Sequence, residues 1–374
     1  MKIAYAAIFD PEDPLVWSGT EHRVYKGLQL AGHEVIPISN LHHGRSIGRA
    51  IRKWFACTTK KQHLHFWDLD TAQDYANDIV QRLSASTAVD CIVSTSLVPL
   101  AFLDPKYKAF VWTDATFVGL RQDYDEFSRS RLSGPSYRHA LSIDRLNVER
   151  ATKVVLSSSW AEQSLREEFP QVDVSVIPFG ANYDITSIRS AEPRESIVLT
   201  FLAVRWHEKG GDKAFAVFSK LSEIYSNVEL NIVGCLPPKH VTDCPNVKVW
   251  GFVNKFTESG RQLFESIMYE TDYVIVPTMA EAFGMFAAEA AAFGTIVLSH
   301  NVGGLSTVVV HEETGFIFDI DDSIDVWVNT VVRLQNDSQL KAKIGASARR
   351  RYDTLLNWDT AINSFTQLIE SNTR

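Results

Sequence analysis

The sequence lacks the marks of several common protein classes. Its four cysteines form no C-x-x-C pair, so we expect reduced thiols rather than a disulfide framework. No G-x-G-x-x-G segment follows a predicted strand, which argues against a nicotinamide-dependent dehydrogenase. The chemistry therefore has to be sought in other residue types.

Long hydrophobic runs are also absent. Residues 1–10 contain one lysine and a short apolar stretch that ends at Asp10, a pattern typical of a first strand rather than of a signal peptide. No apolar stretch approaches the roughly 20 residues that a membrane-spanning helix needs. We expect a cytoplasmic protein, either free or peripheral on a membrane.

Acidic residues are missing from one segment of the chain. The net charge of −8 argues against general nucleic-acid binding, yet no Asp or Glu occurs from Val35 to Trp67. The segment contains six cations, Arg45, Arg49, Arg52, Lys53, Lys60 and Lys61, and four large apolar residues, Ile47, Ile51, Trp54 and Phe55. Three interpretations of residues 44–61 stay open: an anionic membrane surface, a phosphorylated or lipid-linked acceptor, and a solvated loop.

Strand-like and helix-like segments alternate along almost the whole chain, which predicts parallel α/β sheets. Because 374 residues exceed what one core usually serves, we expect two domains. The predicted strands are 3–8, 34–38, 91–95, 109–112, 154–157, 174–177, 196–202, 228–233, 247–250, 272–276, 295–299 and 315–318. The polar stretch from Asp184 to Glu195 predicts the linker. The first domain then covers 1–186, completed by a C-terminal helix at 356–374, and the second covers 196–352.

Two glutamates lie in an otherwise apolar segment, E-A-F-G-M-F-A-A-E, from Glu281 to Glu289. A buried strand at 272–276 precedes it, and an alanine-rich helix that ends at Gly294 follows Gly284. The pattern places Glu281 in the strand-to-helix loop and Glu289 one to two turns into the helix. An acid in so apolar a segment needs a polar partner, which indicates a binding site.

Further landmarks occur in a fixed order: S-G-T-E from Ser18, I-P-F-G-A-N from Ile177, R-W-H-E-K-G-G from Arg205, G-F-V from Gly251, the two-glutamate segment, and N-V-G-G-L from Asn301. Over nearly its whole length the chain resembles a retaining glycosyltransferase of family 4. The resemblance implies the GT-B fold, two Rossmann-like domains facing across a cleft with a C-terminal helix that crosses back to the first domain. It also implies an acceptor-side first domain and a second domain that binds the nucleotide-sugar donor.

The resemblance assigns donor roles to residues of the second domain. Arg205 and Lys209 contact the donor phosphates, Glu281 orients the donor sugar, and Glu289 accepts hydrogen bonds from the ribose hydroxyls. The remaining donor-binding positions offer backbone groups: Gly19, Phe252, Phe283, Gly284, Met285 and Phe286. Gly303 and Gly304 are expected to do similar work or to form a plain turn.

Asp114, after the strand at 109–112, is the first-domain candidate for contacting the transferred sugar or the acceptor, with an Asx turn or helix cap as the alternative. We expect no covalent enzyme nucleophile, no metal and no cofactor, with a UDP- or GDP-linked sugar as co-substrate. The histidines His42, His43, His63 and His65 are clustered, but we expect no acids near them and they lack helical spacing, so a solvated or anion-facing segment is expected rather than a zinc site. The acceptor is a sugar, a small molecule or a lipid-linked compound.

Three other functions stay open at this point. A nucleotide-sugar epimerase or a phosphorylase uses the same fold. A non-catalytic assembly protein that binds sugar nucleotides would retain the donor side of the site without transferring the sugar. The first two remain enzymes, whereas the third is a binding module.

Overall fold

The computed structural model describes residues 1–85, 88–183, 185 and 196–373. The predicted linker, 184–195, lies outside the described residues apart from Ile185. The chain divides into two compact units. Unit 1 comprises Met1–Phe179 and Trp358–Arg374, and unit 2 comprises Gly180–Asn357.

Unit 1 contains one parallel six-stranded sheet. Its strands are β1 (Lys2–Ala6), β2 (Glu34–Ile38), β3 (Cys91–Ser94), β4 (Ala109–Thr113), β5 (Lys153–Leu156) and β6 (Val174–Val176). The strand order is β2-β1-β3-β4-β5-β6, so the order reverses between β1 and β3. The inner strands β3 and β4 are buried on both faces, as continuous apolar runs in parallel sheets usually are.

Six helices connect these strands: α1 (Thr20–Leu30), α2 (Ile47–Thr58), α3 (Leu69–Ser84), α4 (Phe117–Asp123), α5 (Gly134–Arg150) and α6 (Ser159–Glu168). Polar residues begin several of them, because a side-chain oxygen can accept from an otherwise unpaired amide of the first turn. Ser46 accepts from Arg49 N at α2, and Asp68 accepts from Asp70 N at α3.

Unit 2 contains a second parallel six-stranded sheet. Its strands are β7 (Ile197–Leu202), β8 (Val228–Val233), β9 (Val247–Gly251), β10 (Tyr273–Val276), β11 (Ile296–His300) and β12 (Gly315–Phe318). The strand order is β12-β11-β10-β7-β8-β9, which reverses between β7 and β10. All twelve predicted strands are present, with ends within a residue or two of those predicted.

Seven helices accompany this sheet: α7 (Gly211–Ile224), α8 (Lys239–Thr242), α9 (Glu258–Glu270), α10 (Met285–Ala292), α11 (Leu305–Val308), α12 (Ile324–Asn336) and α13 (Ser338–Thr354). Helix α10 is apolar all round and seven of its eight residues are buried, as expected of a helix inside a core.

The last helix, α14 (Trp358–Thr373), belongs to unit 1 although unit 2 precedes it in the chain. Its apolar face is buried, and the ring of Phe365 stacks on Trp112 of β4 with centroids 4.6 Å apart. Gly27 allows α1 to approach closely, since a Cβ there would lie 2.5 Å from Ile362. The prediction that the C-terminal helix returns to the first domain is confirmed.

The basic segment is a helix rather than a solvated loop between strands, so that interpretation of residues 44–61 is wrong. Arg49 and Arg52 are not available to an anionic partner, because both bind groups of unit 1. Arg52 is ion-paired with Asp68 and Asp70. The histidines of this region also have acids nearby once the chain is folded, since His63 Nε2 lies 3.8 Å from Asp68 Oδ2.

Candidate functional site

The candidate site of unit 2 lies where the strand order of its sheet reverses. Strands β7 and β10 are neighbours there, with Leu199 beside Tyr273. Because connections from adjacent strands leave to opposite sides at such a point, a crevice opens outside their carboxyl ends, and open α/β sheets bind ligands in it. The loop after β7 contains Arg205 and Lys209, and the loop after β10 contains Glu281.

The loop after β7 is held tightly against the end of β10. Gly210 has a φ of 77°, and a Cβ at this position would lie 2.0 Å from Pro277 O. Trp206 is buried beneath the loop, and its indole Nε1–H donates to Asp212 Oδ1 at 2.8 Å. The glycines of the K-G-G sequence let the backbone of this loop approach Pro277 closely. This approach brings Lys209 beside the loop after β10.

Lys209 and Glu281 form an ion pair. Lys209 Nζ lies 2.7 Å from Glu281 Oε2 and donates to Ala280 O at 3.3 Å. Both side chains are mostly but not fully buried, so a ligand can reach them. Arg205, on the same loop, is exposed, and its carbonyl oxygen accepts from Lys209 N at 3.3 Å. The structure thus brings together two of the predicted residues and leaves the third at the surface.

Gly303 and Gly304 support the Glu281 loop. The amide of Gly304 donates to Glu281 O at 3.0 Å. Gly303 has a φ of 53°, and a Cβ there would lie only 1.7 Å from Glu281 O. Of the two alternatives for Gly304, the plain turn is the one observed, because its amide donates to the carbonyl oxygen of Glu281.

Gly284 begins helix α10 with a φ of 99°, and Gly284 O accepts from Ala287 N at 2.9 Å. The first amides of a helix have no partner within it, so the backbone at Gly284, Met285 and Phe286 suits an anion or a hydroxyl oxygen. The side chains of Phe283 and Phe286 are buried, which leaves the backbone as the part able to face a ligand.

Glu289 lies in the second turn of α10 and is almost completely buried. Its Oε1 is ion-paired with Nζ of Lys255, and Lys255 Nζ also lies 5.2 Å from the centre of the Phe264 ring. Lys255 was not predicted. Two signals were available in the sequence. An acid in an apolar helix needs a partner, and Lys255 is the first cation after G-F-V at the end of β9.

Phe252, in the same connection, is strongly exposed directly after Gly251, whose φ is 65°. Its aromatic ring lies beyond the carboxyl end of β9, two strands from β7. The contact of the Phe252 backbone with the donor stays a prediction.

The switch point of unit 1 lies between β1 and β3. Three consecutive residues before α1 are left-handed: Trp17 at φ 47°, Ser18 at 56° and Gly19 at 93°. Asp114 follows β4 and is half-buried, with interactions inside the protein. Because β3 separates β1 from β4, Gly19 and Asp114 follow strands that are not neighbours.

Glu21 was not predicted as a site residue, yet it lies at this switch point. It is buried in the first turn of α1, and Thr95, which follows β3, donates from Oγ1 to Glu21 Oε1 at 2.9 Å. Burial raises the pKa of Glu21 to about 7, against the lowering effect of the Thr95 hydrogen bond. The signal in the sequence was an acid two residues after the glycine that begins α1.

Among the residues that the structure describes, no three or more His, Cys, Asp or Glu side chains are placed to hold a metal ion. Asp68-Leu69-Asp70 has the spacing of a D-x-D metal motif, but both carboxylates bind Arg52. Within the described ranges, no helix is both long and apolar enough to cross a bilayer.

Part of the chain is similar to known sequences. Residues 184–351 match a family model described as Glycosyl transferases group 1. A D-inositol 3-phosphate glycosyltransferase from Jonesia denitrificans is 37% identical over 92 residues, which is 25% of this chain and 21% of that protein. One from Pseudarthrobacter chlorophenolicus is 28% identical over 165 residues, 44% of this chain and 32% of that protein. The aligned part of the chain thus spans between a fifth and a third of these relatives.

Solved structures match the whole chain. Sucrose-phosphate synthase from Thermosynechococcus elongatus has a TM-score of 0.73 at 17% identity, covering 99% of this chain and 98% of that chain. WaaG, a glycosyltransferase involved in lipopolysaccharide biosynthesis, has a TM-score of 0.67 at 15% identity, with 99% of both chains covered. The chain has the GT-B fold. The predicted fold class of two Rossmann-like α/β units is therefore confirmed.

Proposed function

We propose that this protein is a retaining glycosyltransferase that moves a hexosyl group from a nucleotide-diphosphate sugar to an acceptor hydroxyl. The observation that carries the proposal is the pairing of Lys209 with Glu281 at the switch point of unit 2. It places a cation suited to a diphosphate beside a carboxylate suited to sugar hydroxyls. The match of residues 184–351 to group 1 glycosyltransferases supports the same function.

Each residue of the pair has a separate task in the proposed reaction. Lys209 stabilises the negative charge that develops on the leaving diphosphate, and Arg205 approaches from the exposed side of the same loop. Glu281 accepts hydrogen bonds from the donor sugar. Because Lys209 binds Glu281 before the donor arrives, the pair is already oriented when the diphosphate takes up part of the lysine's hydrogen-bonding capacity.

Glu289 and Lys255 form the second part of the proposed donor site. Glu289 accepts hydrogen bonds from the ribose diol, and Lys255 acts as a positioning residue that keeps the buried carboxylate charged and oriented. The nucleotide is UDP or GDP. HepE from Anabaena, solved with UDP and glucose, has a TM-score of 0.65 at 16% identity, which makes UDP the first nucleotide to test.

The proposed transfer uses no enzyme nucleophile and no metal. The acceptor oxygen forms a bond to the anomeric carbon on the face from which the phosphate leaves, while the bond from that carbon to the phosphate oxygen breaks. The acceptor proton passes to the departing phosphate oxygen. Asp114 of unit 1 is assigned to the transferred sugar or the acceptor.

The first experiment measures thermal stabilisation by UDP, GDP and ADP, because a ligand that binds only the folded state raises the melting temperature. We expect one of them to raise it by several degrees, with and without EDTA. The corresponding UDP- or GDP-sugars are then offered with an acceptor panel, and NMR identifies the anomer formed. The proposal predicts retention of configuration.

Other results would contradict the proposal in distinct ways. Conversion of the donor without any acceptor indicates an epimerase, and sugar release that depends on phosphate indicates a phosphorylase. Donor binding without transfer across the whole panel indicates an assembly protein. If none of the three nucleotides stabilises the protein, the proposed donor site is contradicted.

A further inference from the structure

Helix α2 of unit 1 turns its apolar side outwards. Ile47, Ile51, Trp54 and Phe55 have the spacing i, i+4, i+7, i+8 and so form one stripe. Their exposed fractions are 82%, 59%, 67% and 44%. A helix on the surface of a globular protein normally buries such a stripe, so this orientation requires a cause.

The cause lies on the opposite side of the helix, where two arginines bind other residues of unit 1. Buried Arg49 donates from Nη1 to Thr71 Oγ1 at 2.5 Å and from Nη2 to Gly44 O. Arg52 donates from Nε to Asp68 Oδ2 at 2.7 Å. Burial tends to raise the pKa of Asp68, but hydrogen bonds from His139 and Arg52 lower it well below its usual range. Rotating the helix would leave this buried carboxylate without Arg52, so the apolar stripe stays outside.

Three of the remaining cations of the segment are also exposed. These are Arg45, Lys53 and Lys60, whereas three acids of the next helix or its N-cap, Asp68, Asp70 and Asp74, are ion-paired with Arg52 or Arg49. With no acid from Val35 to Trp67, this segment presents an exposed apolar stripe together with exposed positive charges. A partner with apolar material behind an anionic boundary matches both properties.

Two further aromatic side chains of unit 1 are also partly exposed. Phe66 and Phe9 are each nearly half exposed, and their ring centroids lie 6.0 Å apart. Phe9 belongs to the connection that leaves the carboxyl end of β1. Unit 1 therefore has a pair of partly exposed aromatic rings in addition to the apolar stripe of α2.

We propose that the outer face of α2, defined by Ile47, Ile51, Trp54 and Phe55, binds the surface of an anionic phospholipid bilayer. The helix lies in the plane of the membrane, with the apolar stripe among the upper acyl chains and Arg45, Lys53 and Lys60 at the headgroups. The arginines on the inner side contribute by holding the helix in this orientation. The inference is independent of the proposed function, since it involves neither donor nor acceptor.

The test measures flotation of the full chain with vesicles of phosphatidylcholine alone and with 30% phosphatidylglycerol. We expect binding to the anionic vesicles, weakened about fivefold by Lys53→Gln and weakened by raised salt. Ile51→Ser/Trp54→Ser should reduce binding on the order of a hundredfold, because two large side chains lose their burial in lipid.

Leu30→Ser is the matched control, because Leu30 is an exposed apolar residue of α1 in the same unit with 88% of its surface accessible. It should leave vesicle binding unchanged. Circular dichroism and the melting temperature establish that both serine variants are folded, which is expected because the replaced side chains are exposed.

Three outcomes would overturn the inference. The first is that the wild-type chain does not bind anionic vesicles at low salt. The second is that Ile51→Ser/Trp54→Ser binds them as well as the wild type does. In the third, analytical ultracentrifugation finds a dimer that the double variant loses while vesicles bind neither form, and the face then joins two copies of the chain. Nucleotide stabilisation of the wild type, measured in parallel, keeps failure here distinct from failure of the proposed function.

Discussion

The switch points of the two sheets contain similar parts in different electrostatic settings. In each, a glycine with a positive φ begins a helix and a glutamate lies close by: Gly19 with Glu21 in unit 1, and Gly284 with Glu281 in unit 2. Glu21 is buried and accepts from the hydroxyl of Thr95. Glu281 is partly accessible and bound to Lys209.

The difference separates a carboxyl group that is used inside the protein from one to which we assign a role in donor binding. Burial without a cation disfavours the charged form, so Glu21 is held partly protonated near neutral pH. The Lys209–Glu281 pair presents both charges to a ligand. The two sheets therefore place a glutamate at equivalent points, and the partner of each glutamate determines its charge and its access to a ligand.

The largest expected effect tests whether the stability of unit 2 depends on the ion pair between Lys255 and Glu289. Lys255→Met leaves Glu289 charged and buried without a partner, so we expect a loss of about 3–5 kcal/mol in the free energy of unfolding. Urea unfolding measures it. Lys248→Met, which breaks the exposed pair with Glu229, is the control and should cost at most about 1 kcal/mol.

The double variant Lys255→Met/Glu289→Leu sharpens this result, because it removes the second charge as well. It should recover a large part of the lost stability while donor binding stays impaired. Equal losses in the single and double variants would mean that the buried charge is not the cause.

The next effect tests the functional half of the comparison. Lys209→Ala should reduce sugar transfer about 10²–10³-fold, since one preorganised donor to the developing charge is removed. The measurement is kcat with a saturating donor and acceptor, together with the melting temperature. Lys220→Ala, at an exposed pair with Asp325 in the same unit, is the matched control and should transfer normally. Full activity in Lys209→Ala would sink the assignment.

The smallest effect concerns Glu21 and pH. Because its folded pKa is raised to about 7, its contribution to stability is complete below about pH 4.5 and is lost as the pH rises through 7. Glu21→Gln stays neutral and keeps an oxygen to accept from Thr95. Its advantage over the wild type should therefore grow to roughly 3 kcal/mol at pH 8.

Calorimetry at pH 5 and pH 8 checks this prediction. Glu12→Gln, at an exposed pair with Lys26 in unit 1, should show no such growth. A difference between wild type and Glu21→Gln that is the same at both pH values would contradict a raised pKa and weaken the contrast between the units.

Much of the fold was predictable because its signals are local. Short apolar runs between helical segments located all twelve strands, and the apolar spacing in Trp358–Ile369 located α14. The pairing of Lys209 with Glu281 could be anticipated only in part: both loops follow strands, but the neighbouring positions of β7 and β10 depend on strand order.

Long-range partners were not predictable. Lys255 lies 34 residues before Glu289, and Thr95 lies 74 residues after Glu21. The sequence left two roles open for Gly304, because its amide is used by a backbone carbonyl that the sequence pattern does not place beside it.

The sequence by itself determined where strands and helices form, since periodicity, capping residues and glycines act over a few neighbouring positions. Only the tertiary structure decided which side of α2 faces outwards. A helical stripe specifies that a face is apolar but not what covers it, and Asp68 and Asp70 supplied the stronger interaction by binding Arg52 from the inside. The same reason applies to the glutamates, whose partners, lysine or threonine, depend on which strands become neighbours.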